Sequence, residues 1–160
     1  MKTYAGIGSR ETPNNILTLM TNLGTKLAEH GWTLNSGGAI GADKAFEKGA
    51  RIGNGKYNIF YAKDATSESI TLASKYHPAW HKCNTYVQKL HARNGMIVLN
   101  YSLQEPVNFI ICWTSNGEIT GGTGQALRLA KDYDIMVFNL ALPNSFNNLY
   151  QYLTSYEQNI

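Results

Sequence analysis

The stretch Trp32-Thr33-Leu34-Asn35-Ser36-Gly37-Gly38-Ala39-Ile40-Gly41-Ala42-Asp43 decides the fold. Trp32 to Asn35 is β-prone, and Ser36 to Gly41 is a glycine-rich turn. Beyond it Ala42, Ala45, Phe46 and Ala50 recur at helical spacing until Gly53. A strand that turns tightly into a helix is half of a βαβ unit, and the same grammar extends in both directions.

Upstream, Thr3 to Ile7 reads as a strand closed by Gly8-Ser9-Arg10-Glu11-Thr12-Pro13. Thr12 is expected as the N-cap and Pro13 in the first turn of a helix carrying Ile16, Leu17, Met20, Leu23, Leu27 and Ala28, which closes at His30-Gly31. Downstream, Tyr57 to Tyr61 is a third strand. Ser67 to Leu103 reads as two helical pieces broken at His77-Pro78, because proline disfavours helix in the residue before it. Leu90, Met96, Ile97, Leu99 and Leu103 would form its buried stripe. Val107 to Trp113 is the most apolar segment and is expected at the centre of the sheet. A helix with Ala126, Leu127, Leu129 and Ala130 follows, then a strand from Ile135 to Leu140, and a short terminal helix from Asn144.

Strands alternating with helices, without hairpin signals, imply right-handed crossovers. The fold class is therefore α/β: a three-layer αβα arrangement with a mainly parallel five-stranded sheet, formed by residues 1–160 as one domain.

At 160 residues with 43% hydrophobic and 16% charged residues, the chain suits a globular core and excludes a disordered one. A net charge of +3 is compatible with an anionic ligand but lacks the dense basic surface of a strong duplex-DNA binder. Cys83 and Cys112 are too few and too far apart for a zinc site or a disulfide scaffold, and read as reduced thiols. The four histidines show no metal spacing such as His-Glu-x-x-His, so neither a metal nor a resident cofactor is expected. The N-terminus lacks the apolar stretch of a signal peptide, and the run from Phe109 to Trp113 is too short to cross a bilayer. The expectation is a cytoplasmic protein with no membrane partner.

In open parallel sheets, ligands bind beyond the carboxyl ends of the strands, near the point where strand order reverses. Three glycine loops fall there: Gly6 to Arg10, Gly37 to Asp43, and Gly121-Gly122-Thr123-Gly124-Gln125. Glycine lets successive N–H groups approach one anion, and a helix N-terminus adds unpaired donors. The ligand-binding candidates are Gly8, Ser9 and Arg10; Ser36, Gly37, Gly38, Ala39, Gly41 and Asp43; Arg93 and Asn94; Trp113; and Gly121 to Gln125.

Each has a second, structural reading that stays open. Ser9 and Arg10 can grip a phosphate, or Arg10 can cap a neighbouring element. Asp43 can accept from ligand hydroxyls or satisfy a helix end. Arg93-Asn94 can hold a phosphate and a base edge or ribose, or form a solvated helix face. Trp113 can stack on a base or fill the core. Glu118 is the best-placed carboxylate for acid–base work, with Asp43 second, or else a solvated loop residue. His77, Trp80 and His81 are candidates for the rim.

At these loops the sequence resembles the SLOG superfamily of Rossmann-like proteins, which includes the DNA-processing protein DprA and the LOG-type nucleotide phosphoribohydrolases. Gly8-Ser9-Arg10 and Ser36 to Asp43 look like the first half of a DprA domain. His91-Ala92-Arg93-Asn94, Phe109 to Thr114 and Gly121 to Gln125 look like a compact form found among DprA-like proteins of bacteriophages. The LOG pattern Pro-Gly-Gly-x-Gly-Thr and its following glutamates are not kept: Thr120 and Gln125 replace the proline and threonine, and Leu127 and Arg128 fall where the glutamates would be. The resemblance implies binding of a nucleotide or nucleotide-derived phosphate ligand. DprA-like single-stranded DNA binding and an N-glycosidic or phosphate-bond hydrolase with Glu118 or Asp43 in catalysis are the alternatives. It also implies a homo-oligomer and, for a phage-encoded chain, the cytoplasm of a bacterial host.

Overall fold

The computed structural model describes residues 1–158. Strand β1 (Thr3–Gly6) leads into helix α1 (Asn14–Glu29), β2 (Thr33–Ser36) into α2 (Ala42–Ile52), and β3 (Tyr57–Ile59) into α3 (Ser67–Tyr76). Helix α4 (Thr85–Leu99) then precedes β4 (Phe109–Cys112), α5 (Gly121–Asp132), β5 (Met136–Asn139) and α6 (Ser145–Gln158). Every strand pairing is parallel, and the order is β3-β2-β1-β4-β5.

Alternation along the strands feeds two cores. Tyr4, Leu34, Phe109, Ile111 and Phe138 face one layer, where they meet Met20 and Leu27 of α1, Phe46 of α2 and Leu149 of α6. Ala5, Ile110 and Cys112 face the other, against Ile97 and Val98 of α4 and Ala126 and Leu129 of α5. Period-two geometry alone sorts these neighbours to opposite sides. In the first layer Phe109 stacks on Tyr4 and meets Trp32, Phe138 and Tyr152 edge-on.

Helices α1 and α2 touch backbone to backbone. A Cβ on Gly49 would overlap the carbonyl oxygen of Thr21, and only glycine permits that approach. The hydroxyl of Thr21 donates across the contact to the carbonyl of Ala45 at 3.2 Å.

Several local expectations are corrected. Thr12 is not the cap of α1: its hydroxyl donates to the Ser9 carbonyl at 2.5 Å, so it closes the turn after β1, and Pro13 stands in the N-cap position without a side-chain cap. The break at His77-Pro78 is present, with His77 in extended backbone. Helix α4 ends at Leu99, short of Leu103, because Asn100 and Leu103 both take φ of 62°. The centre of the sheet is β1, with the more apolar β4 beside it. The terminal helix is longer than expected, and Asn159 and Ile160 lie outside the described residues. Among the described residues, no helix is long and apolar enough to cross a membrane.

Candidate functional site

Strand order reverses at β1, whose successor in the sheet on one side is β2 and on the other β4. A cavity of about 490 Å³ opens there, beyond the carboxyl ends of β1 and β4. Its walls come from the turn after β1 (Gly8, Ser9, Arg10), the second glycine loop (Ala39, Asp43), helix α4 (Arg93, Asn94) and the first turn of α5. The three glycine loops therefore meet at one edge.

Arg93 is the girder of this arrangement. Its Nη1 donates to the carbonyls of Gly37 at 2.6 Å and Phe60 at 3.1 Å, and its Nε to Asn94 Oδ1 at 3.0 Å. Asn94 in turn donates to the Gly122 carbonyl at 3.0 Å, which ties α4 to the head of α5. Nη2 of Arg93 has no acceptor among the described residues. Arg10 is exposed at the rim, makes no ion pair among the described residues, and lies close enough to Arg93 for the two guanidiniums to repel.

At the head of α5, Thr120 makes no side-chain cap. The N–H groups of Gly121, Gly122 and Thr123 have no acceptor among the described residues, and all three residues line the cavity. They place unpaired donors and the positive end of the helix dipole at its wall.

The second loop does something different from the third. Asp43, 5% exposed, directs its carboxylate toward the backbone N–H groups of Ala39, Gly37 and Gly8, with Arg93 nearby. Burial pushes its pKa up to about 6, although Arg93 and the three amides pull the other way. The amides of the first two loops thus converge on the chain's own carboxylate. Gly37 makes room for it: a Cβ there would stand 2.6 Å from Arg93 Nη1 and 2.8 Å from Asp43 Oδ2.

Thr114, 2% exposed, closes the floor and is held by Asn139 at the end of β5. Asn139 Nδ2 donates to Thr114 Oγ1 at 2.7 Å, and the Thr114 N–H donates back to Asn139 Oδ1 at 3.3 Å. His91 lines the far wall, where burial first and the charges of His77, Arg128 and Arg93 next lower its pKa to about 4. It is neutral at neutral pH.

A doubly wound sheet in this order has a counterpart among solved structures. The fold is similar to that of DNA processing protein A. The protein from Helicobacter pylori, which binds single-stranded DNA, superposes with a TM-score of 0.58 at 20% identity over 93% of this chain and 71% of its own. The molybdenum cofactor carrier protein of Chlamydomonas reinhardtii gives a looser superposition, with a TM-score of 0.46 at 16% identity over 96% of this chain and 99% of its own. No family model and no curated protein sequence matches the chain.

Within this fold, shared with DNA processing protein A, not every candidate reaches the recess. Gly8, Ser9, Arg10, Ala39, Asp43, Arg93, Asn94, Gly121, Gly122 and Thr123 line it. Ser36 does not: its hydroxyl donates to the Gly6 carbonyl at 2.5 Å and braces β2 against β1. Gly38 and Gly41 shape the loop at φ of 71° and 98° but stand behind the wall. Gln125 is buried and bridges the Ala73 carbonyl and Arg128, and Gly124 packs against Ile119. Trp113 packs into the aromatic layer, because it continues the parity of Phe109 and Ile111. Glu118 is exposed and outside the lining, since the turn at Ser115–Gly117 carries it outward. His77, Trp80 and His81 also lie off the wall.

Val87, Leu90, Thr114 and Ser115 line the cavity unannounced. Val87, Leu90, His91 and Asn94 share one face of α4 at helical spacing, so Leu90, expected in the buried stripe, faces the cavity instead. Thr114 and Ser115 follow directly from the rule that strand ends line such sites.

Proposed function

We propose that the cavity binds a phosphate-bearing nucleotide ligand and holds it without turnover. The observation that carries this reading is the uncapped head of α5 facing the cavity that Arg10 and the open Nη2 of Arg93 also reach. A phosphate there would accept from the amides of Gly121 to Thr123 and from guanidinium N–H groups, and Ser9 would add a hydroxyl. A volume of about 490 Å³ suits a ligand of nucleotide size. Tyr86, 64% exposed, directly precedes the lining residue Val87 on α4 and would offer a ring for a base. Of the two carboxylates expected for acid–base work, Asp43 is committed to backbone amides and Glu118 lies outside the lining; the other carboxylate of the lining, Glu11, stands exposed next to Arg10.

The likeness to a single-stranded DNA-binding protein favours a second reading, in which the same donors take one phosphate of a strand and Tyr86 stacks on a base. One experiment separates them. Native mass spectrometry of the protein, followed by calorimetry with a panel of nucleoside mono- and diphosphates and with a short oligodeoxynucleotide at low salt, should show a retained or titratable nucleotide that is recovered intact. The same spectra should show two or more subunits. Binding of the oligonucleotide alone would move the function to the strand. Release of free base or phosphate would replace binding with hydrolysis, and silence from every ligand would remove both readings.

A further inference from the structure

We propose that His77, Cys83 and His91 form a binding site for a thiophilic transition-metal ion, zinc being the class representative, on the outer side of α4. The three side chains come from successive pieces of chain. His77 ends α3 at the proline break, Cys83 follows the short 3-10 turn Trp80–Lys82, and His91 stands in the second turn of α4. One ligand atom from each lies within 4.8 Å of the other two. Cys83 Sγ is 4.0 and 3.9 Å from the two ring nitrogens of His77, and the imidazoles of His77 and His91 are 4.3 Å apart between centroids.

A tetrahedral zinc with bonds of about 2.3 Å to sulfur and about 2.0 Å to nitrogen sets its ligands roughly 3.3–3.6 Å apart. Small side-chain rotations therefore close the triad around an ion. A second observation points the same way: Nδ1 of His91 is buried and has no hydrogen-bond partner among the described residues, which is costly for a polar atom unless something occupies it. At His77, Nδ1 accepts from the Ala79 N–H at 3.0 Å, which marks that nitrogen as the lone-pair atom, and an ion would take the place of this bond. All three residues are half-buried, which leaves a face open for entry and for a fourth ligand such as water.

The donor set selects the metal. Two imidazoles and a thiol with no carboxylate favour zinc or copper(I) and disfavour magnesium or calcium. The charged groups facing the cluster are the guanidiniums of Arg128, toward both histidines, and of Arg93, toward His91. They resist an added positive charge, so the thiolate is the indispensable ligand. His91 also lines the cavity, but the metal site does not depend on what the cavity binds.

Cobalt(II) titration of the reduced, full-length protein tests this. Cys112, the second cysteine, is fully buried in β4, so a thiolate–cobalt charge-transfer band reports on Cys83. The expected result is one cobalt per chain with that band and tetrahedral visible absorption, both displaced by one equivalent of zinc. C83S should abolish the band, and H91A should weaken binding by about tenfold or more. Zinc should also protect Cys83 of the unmodified protein from alkylation, and chelator should reverse this, which needs no variant to fold. A wild-type protein without the band at saturating cobalt, a band that survives C83S, or alkylation indifferent to zinc would overturn the site.

Discussion

Arg93 donates to the carbonyl of Gly37 at 2.6 Å, across 56 positions of sequence, and the absent side chain of Gly37 is what lets it come so close. A methyl group on that α-carbon would stand 2.6 Å from the guanidinium and 2.8 Å from the carboxylate of Asp43. Gly37→Ala should therefore displace both groups, cost about 1–3 kcal/mol of stability, and lower affinity for a phosphate ligand more than tenfold. Urea unfolding and calorimetry read the two effects. A variant of unchanged stability and affinity would show that the contact yields freely.

Arg10 is exposed and has no ion-pair partner among the described residues, so its removal should leave folding untouched. A charge-assisted hydrogen bond to phosphate is worth about 1.5–3 kcal/mol, so Arg10→Ala should weaken nucleotide binding by roughly ten- to a hundredfold. Equal affinity in the variant would place the phosphate elsewhere.

Asp43 couples folding to pH. Its carboxyl is raised to about 6, whereas an unfolded chain holds it near 3.9. The folded state keeps this proton more tightly, so the group makes folding less favourable as pH rises from about 4 to about 6, by roughly 2–3 kcal/mol. Asp43→Asn abolishes that dependence. The stability of wild type minus variant should fall across this window and level off above it, as urea titrations at a series of pH values would reveal. Parallel curves would mean the carboxyl titrates normally.

Asn139 pins the cavity floor through paired hydrogen bonds with Thr114, and both residues are buried. Asn139→Ala leaves the Thr114 N–H and hydroxyl without these partners and should cost about 2–3 kcal/mol. A melting temperature equal to that of the wild type would contradict this.

The βα grammar and the edge at which a ligand would sit were legible because glycine clusters and helical spacing are local signals. Gly8 and Gly122 fall where the turns of the sequence put them. The inward commitment of Asp43 was not legible, since it depends on amides from two loops that meet only after β1 and β2 pair. Trp113 was readable in principle: it shares strand parity with Phe109 and Ile111 and so faces the aromatic layer. Glu118 was misplaced because left-handed backbone at Asn116 and Gly117, with φ of 57° and 70°, turns the chain outward. The grouping of His77, Cys83 and His91 matches no regular spacing, as it arises from a proline break followed by a 3-10 turn.

Adjacent residues Arg93 and Asn94 clamp Gly37 on one side and Gly122 on the other. The recess is consequently a product of long-range closure, and no fragment that stops before residue 122 can possess it. During synthesis, the α1–α2 half can pack early around Gly49, while any ligand must wait for the head of α5 to emerge and dock. Ligand capture would then report on the finished fold, and a nucleotide added during refolding should accelerate nothing until the last step.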